Sequence, residues 1–163
     1  MLITHYGLTP RQYSLAFAVN AVSFIGASQF AGRLAHRYGL RRVVSASVAG
    51  FALTMCAGSA LNLAGVDTLA VLIAMLMIGF GFLGLVVPAT SVMALDHHGE
   101  IAGAASALMG TLQMVLGAAA IALMGFVADG TARPMLAGIA AMALLTWLLA
   151  WLSLRDRAPP AQV

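Results

Sequence analysis

Five stretches of this chain carry no charged residue for long enough to cross a lipid bilayer: residues 12–32, 43–66, 68–95, 101–128 and 134–154. About twenty residues at ~1.5 Å rise span a hydrocarbon layer roughly 30 Å thick. Lipid offers no hydrogen bonds, so a spanning backbone satisfies itself as helices or a closed barrel. The ten-residue alternation of barrel strands is missing from these runs. The sequence therefore predicts an all-α integral membrane protein with five transmembrane helices.

Composition excludes the soluble alternative. The chain is 62% hydrophobic and 8% charged, with a mean hydropathy of +0.99. Soluble domains carry roughly a quarter charged residues, and so few could not cover a water-facing surface. The net charge of +3 and pI near 9.8 are no nucleic-acid footprint, because the basic residues sit at the ends of apolar runs, where they orient a chain in a bilayer.

All eight basic residues are arginines, and four of them crowd into "GRLAHRYGLRR", residues 32–42. Arg155 and Arg157 join that side of the membrane; Arg11 and Arg133 fall on the other. Six against two predicts that the arginine loop and the C-terminus face the cytoplasm. Residues 1–10 lack a basic leader and an A-x-A-like site, so nothing there reads as removable. An outward N-terminus without a leader is accounted for if another membrane helix precedes it. Cys56, the single cysteine, excludes a disulfide framework and reads as a small packing residue.

The third stretch contains "GFGFLGLVVP", with Gly79, Gly81, Gly84 and Pro88, which predicts a flexible or kinked helix. It matches G-x-G-x-x-G, but a dinucleotide site needs a strand before it and a polar helix mouth after it. Here both flanks are apolar, and the glycines instead permit close helix approach.

Two helical faces carry candidate cavity residues. Tyr13, Phe17, Asn20 and Phe24 follow i, i+4, i+7, i+11 on the first span. Asn20 lies near mid-depth, where an amide needs a polar partner or water. This face suits bulky, mostly neutral ligands, or it packs on a neighbouring helix with Asn20 as interhelical glue. On the fourth span Ser106, Met109, Gly110, Gln113 and Gly117 share a face, with Gln113 near mid-depth and Met109 and Met114 flexible enough to fit varied ligands. No Asp, Glu, Lys or Arg lies within the middle of any span, although intramembrane charges usually mark proton coupling.

"DHHGE", with Asp96, His97, His98 and Glu100, permits a membrane-metalloenzyme reading. Adjacent histidines point roughly 100° apart on a helix, no second ligand pair follows, and neither H-E-x-x-H nor an activated nucleophile occurs. No enzyme activity, metal or cofactor is expected; a solvated loop between helices is.

The arginine knot resembles the signature loop of the major facilitator superfamily, roughly G-x-L-a-D-r-x-G-r-r/k. Gly32, Arg37, Gly39, Arg41 and Arg42 match, and His36 stands where the family usually has Asp. "YGLTPRQYSLAFAVNA" (6–21), "HHGEIAGAASALMGTLQMVLGA" (97–118) and "DGTARPM" (129–135) resemble the bicyclomycin/chloramphenicol-resistance (Bcr/CflA) drug:proton antiporters. The resemblance implies helices eight to twelve of a twelve-helix transporter of the bacterial inner membrane, with the C-terminal six-helix bundle represented in part over residues 1–163. It implies hydrophobic drug-like substrates and protons as partners of the complete transporter, with an N-terminal half or another chain beside this one. It also implies that Gly32, His36, Arg37, Gly39, Arg41 and Arg42 belong to a loop that stabilises one alternating-access state, whereas orientation alone is the simpler role. The second and fifth spans would then face lipid or support, and a proton-carrying carboxylate would lie outside this chain. A stand-alone small membrane protein that assembles with a partner half or with itself is the alternative.

Overall fold

The computed structural model describes residues 9–65, 68–95, 101–127 and 133–155. Their regular elements are five α-helices: α1 (Pro10–Tyr38), α2 (Leu40–Leu63), α3 (Leu69–Leu95), α4 (Ala102–Val127) and α5 (Arg133–Arg155). All five are long and apolar enough to cross a membrane, in agreement with the predicted class.

Local chemistry sets the helix ends. Thr9 and Gln12 form a reciprocal cap: the Gln12 amide donates to Thr9 Oγ1 at 3.3 Å, and the Thr9 amide donates to Gln12 Oε1 at 2.9 Å. Pro10 opens α1, where its missing N–H costs nothing. At the far end α1 does not stop at Gly32 as the charge pattern predicted. It runs on through Arg33, His36 and Arg37 to Tyr38. The expected loop is a single non-helical residue, Gly39, before α2 begins at Leu40. Two effects permit this: cations in the last turn suit the negative end of the helix dipole, and long arginine stems carry their charge out to water.

α3 runs unbroken from Leu69 to Leu95, although Pro88 lies inside it and gives Gly84 no amide for its carbonyl. Three of its glycines pack against neighbouring helices. A Cβ on Gly79 would meet Met55 Cε and Phe51 of α2. One on Gly81 would stand 3.2 Å from Ser23 Oγ of α1, and one on Gly84 would meet the Phe24 carbonyl of α1. Residues two and five apart thus serve two neighbouring helices.

α2 lies between α3 and α5. Val44 and Val48 pack with Val86 and Ala89 of α3, bordered by Ala150 and Leu154 of α5. Ala52 and Met55 pack with Ala143 of α5 beside Phe51 and Ile139. Lipid is as apolar as these side chains, so small residues and close backbones hold the helices together rather than hydrophobic transfer. α1 lies mainly along α3 and meets α2 less, while α4 touches α3 and α5 only lightly.

Candidate functional site

The arginine knot is built around one glycine. Gly39 has φ 83° and ψ 141°, a region that a Cβ makes costly. Its amide donates to the Ala35 carbonyl at 2.9 Å, and its own carbonyl accepts from the Val43 amide at 3.2 Å. It therefore closes α1 and opens α2 in one step. Gly32, by contrast, sits inside α1 with no atom within 4 Å of a Cβ built on it, so neither conformation nor space requires glycine there.

The knot's arginines diverge. The Arg37 guanidinium stands 5.5 Å from the Tyr38 ring centroid, in cation–π range. Arg41 Nη2 donates to the Leu154 carbonyl at 2.9 Å, tying the start of α2 to the last turn of α5. That carbonyl lies at the negative end of a helix, where a cation is favoured. Arg33, His36 and Arg42 are exposed. All five acidic residues, Asp67, Asp96, Glu100, Asp129 and Asp156, lie outside the described residues, and the "DHHGE" cluster with them.

The α1 candidates divide. Phe17 is 63% exposed, Phe24 half-buried and Asn20 buried; the Tyr13 side chain is outside what the structure describes. Ser23 Oγ donates to the Met77 carbonyl of α3 at 2.7 Å, and Phe24 meets Gly84. Asn20, three and four residues earlier, lies on that same α3-facing side. Its Oδ1 has no hydrogen-bond partner, so the amide is placed between helices without being satisfied as an acceptor.

On α4, Met109 is half-buried and Gln113 exposed. Among the described residues, cavities lie between α2, α3 and α5 near Asn62 (small), beside Ile121 and beside Tyr38 (both larger). Phe17, Asn20, Phe24, Met109 and Gln113 line none of these three. The α1 and α4 candidates are not brought together around any of them.

Sequence reasoning missed Ser23, whose hydroxyl joins α1 to α3, and the Arg41–Leu154 tie. Ser23 was legible in outline, as a small polar residue one step from the candidate face. The tie joins residues 113 apart, which no local pattern reports.

The Major Facilitator Superfamily matches residues 1–163. An uncharacterized MFS-type transporter of Bacillus subtilis (strain 168), YdgK, is 33% identical over 138 residues, which cover 80% of this chain and 32% of that protein. The chain thus spans about a third of the length of this relative. No solved structure matches. The five helices are those of a membrane-embedded segment, and the chain belongs to the Major Facilitator Superfamily.

Proposed function

We propose that this chain is the part of a bacterial multidrug efflux transporter comprising helices eight to twelve, and that the complete protein exchanges drugs for protons. The observation that carries the reading is the family match along the whole chain, joined to a knot that keeps its hinge glycine but has His36 in place of an acid. A degenerate knot fits the second half of such a transporter better than the first. An aromatic α1 face with Phe17 and Phe24 and no mid-span charge suits large, weakly polar substrates. The carboxylate that carries the proton belongs to a part of the transporter outside this chain, since no span here holds one at mid-depth.

Alternating access requires one helical bundle to rock against another around a midplane site. In this reading exposed Gln113 faces that site when the other bundle is in place, Asn20 lies behind it against α3, and the Gly39 hinge holds the inward-facing helix ends in one of the two states. The arginine end and the C-terminus lie in the cytoplasm. Alkaline phosphatase fused after Asp67 or Gly130 is expected to be active, and fused near Tyr38 or Gly99 inactive; the reverse pattern removes both orientation and helix numbering. Expressed alone in a drug-sensitive bacterium, the chain is expected to give no resistance to chloramphenicol, whereas a transporter containing it gives resistance that collapses with the proton gradient. Proton-dependent efflux by this polypeptide alone would overturn the reading.

A second reading is favoured by α4, the one helix among the described residues whose most apolar window buries nothing. A small membrane protein that pairs with a partner half, or with itself, would cover that helix too. A defined stoichiometry with a separately encoded partner would decide for it.

A further inference from the structure

We propose that the cleft between α1 and α2 beside the arginine knot is a binding site for one anionic phospholipid. A cavity of about 360 Å³ lies there, floored by α3. Leu34, Val43, Phe82 and Leu85 make its apolar walls, and Tyr38 and Arg42 stand at the end nearest Gly39. It extends along α2 from Arg42 past Ala46 to Ser47, roughly 7 Å at 1.5 Å per residue. That is deep enough for the upper part of an acyl chain.

Two arginines stand near its mouth. Arg42 is exposed there. Arg37 lies over the ring of Tyr38, which itself lines the cavity. Arg41 is already occupied by the Leu154 carbonyl, and residues 32–42 contain no acid to neutralise the others.

Each half of the site excludes a different occupant. Free phosphate leaves the apolar walls uncovered. A zwitterionic lipid brings its own cation to the arginines. A phosphodiester lipid with net negative charge satisfies both, its headgroup on Arg42 beside Arg37 and Tyr38 and one chain along Val43 and Phe82. The site is independent of the transported substrate and separate from Asn20 and Gln113.

Native mass spectrometry of the purified chain in detergent tests this, with phosphatidylglycerol and phosphatidylcholine of identical acyl chains. Phosphatidylglycerol is expected to be retained about fivefold better or more. Arg42→Ala removes that preference, Arg42→Lys keeps part of it, and Ala46→Phe, which fills the cavity, removes bound lipid. Arg11→Ala, at the other end of α1, changes nothing. Circular dichroism checks that each variant stays helical; if Ala46→Phe does not, the two Arg42 variants decide. Equal retention of the two lipids, retention unchanged in Arg42→Ala, or an equal loss in Arg11→Ala overturns the proposal. Displacement by millimolar inorganic phosphate would also overturn it, by reducing the site to a free-anion site.

Discussion

Replacing Gly84 by alanine strikes the α1–α3 interface at its tightest point. A Cβ there would meet the Phe24 carbonyl oxygen and stand 3.0 Å from the Phe24 carbonyl carbon and 3.2 Å from its Cα. Backbone in mid-helix cannot swing aside as the end of a side chain can. The helices must separate by on the order of 1 Å to restore a carbon–oxygen spacing of ~3.3 Å. Forcing them apart costs about 1–3 kcal/mol. The nearby Ser23–Met77 hydrogen bond, at 2.7 Å, is stretched as well, a further ~0.6 kcal/mol in a membrane interior. Alanine's better helix propensity returns at most ~1 kcal/mol.

The net loss is therefore about 1–3 kcal/mol, roughly 5- to 150-fold in the folded-to-unfolded ratio. Cys56, the chain's free thiol and half-buried on α2, reports unfolding through its reaction with a thiol-specific dye during heating or detergent titration. Gly79→Ala first meets Met55 Cε, the mobile tip of a side chain, and is expected to lose less. Gly103→Ala meets nothing within 4 Å and is expected to be neutral or slightly stabilised. The order Gly84, Gly79, Gly103 follows from what each Cβ touches. A Gly84→Ala chain as stable as Gly103→Ala would refute the reasoning.

Gly39→Leu puts a side chain at φ 83° and is expected to cost about 1–3 kcal/mol; in a complete transporter, drug-efflux assays are expected to show lower activity at near-normal insertion. Arg41→Ala removes the tie to Leu154 and is expected to speed hydrogen exchange in the last turn of α5, leaving mid-helix α5 unchanged. Asn20→Leu deletes a buried acceptor without a partner, so the isolated chain is expected to gain stability, up to about 1–3 kcal/mol, while efflux by the complete transporter falls. Gly110→Leu is expected to leave the thermal stability of the isolated chain unchanged and to abolish drug resistance in the complete transporter.

The number of helices was legible because charge is confined to the ends of membrane spans, so cutting at charges counts spans well. It places their ends poorly. Arg33 and Arg37 belong to α1, since a long cationic stem can leave a helix without ending it. The true break is marked by the conformation of Gly39, which the sequence displays only as one glycine among seventeen. The start of α1 was legible in another way: Thr9, Pro10 and Gln12 spell a cap, hidden when Arg11 is taken as a boundary. Asn20 was legible as an amide at mid-depth, but its neighbour was not. Its position on the α3 side follows from Ser23 and Gly84, residues sixty-one apart whose relation only packing decides.

The candidate face of α4 was harder to read for a reason that lies in the solvent. In water an apolar stripe marks the buried side of a helix; in lipid a buried side and a lipid-facing side are equally apolar. What distinguishes them is small residues, and α3 and α4 both carry glycines at helical spacing. On α3 the built Cβ atoms of Gly79, Gly81 and Gly84 each meet a neighbouring helix. On α4 those of Gly103, Gly110 and Gly117, seven residues apart and so on one face, meet nothing within 4 Å. That face also carries Ser106 and Gln113, and α4 leans only lightly on α3 and α5. A row of glycines weakens a helix by up to ~1 kcal/mol per residue, a cost balanced on α3 by close packing and left unbalanced on α4 among the described helices. The same residue type thus reports a contact already made on one helix and, in the transporter reading, a contact completed by another bundle on the next.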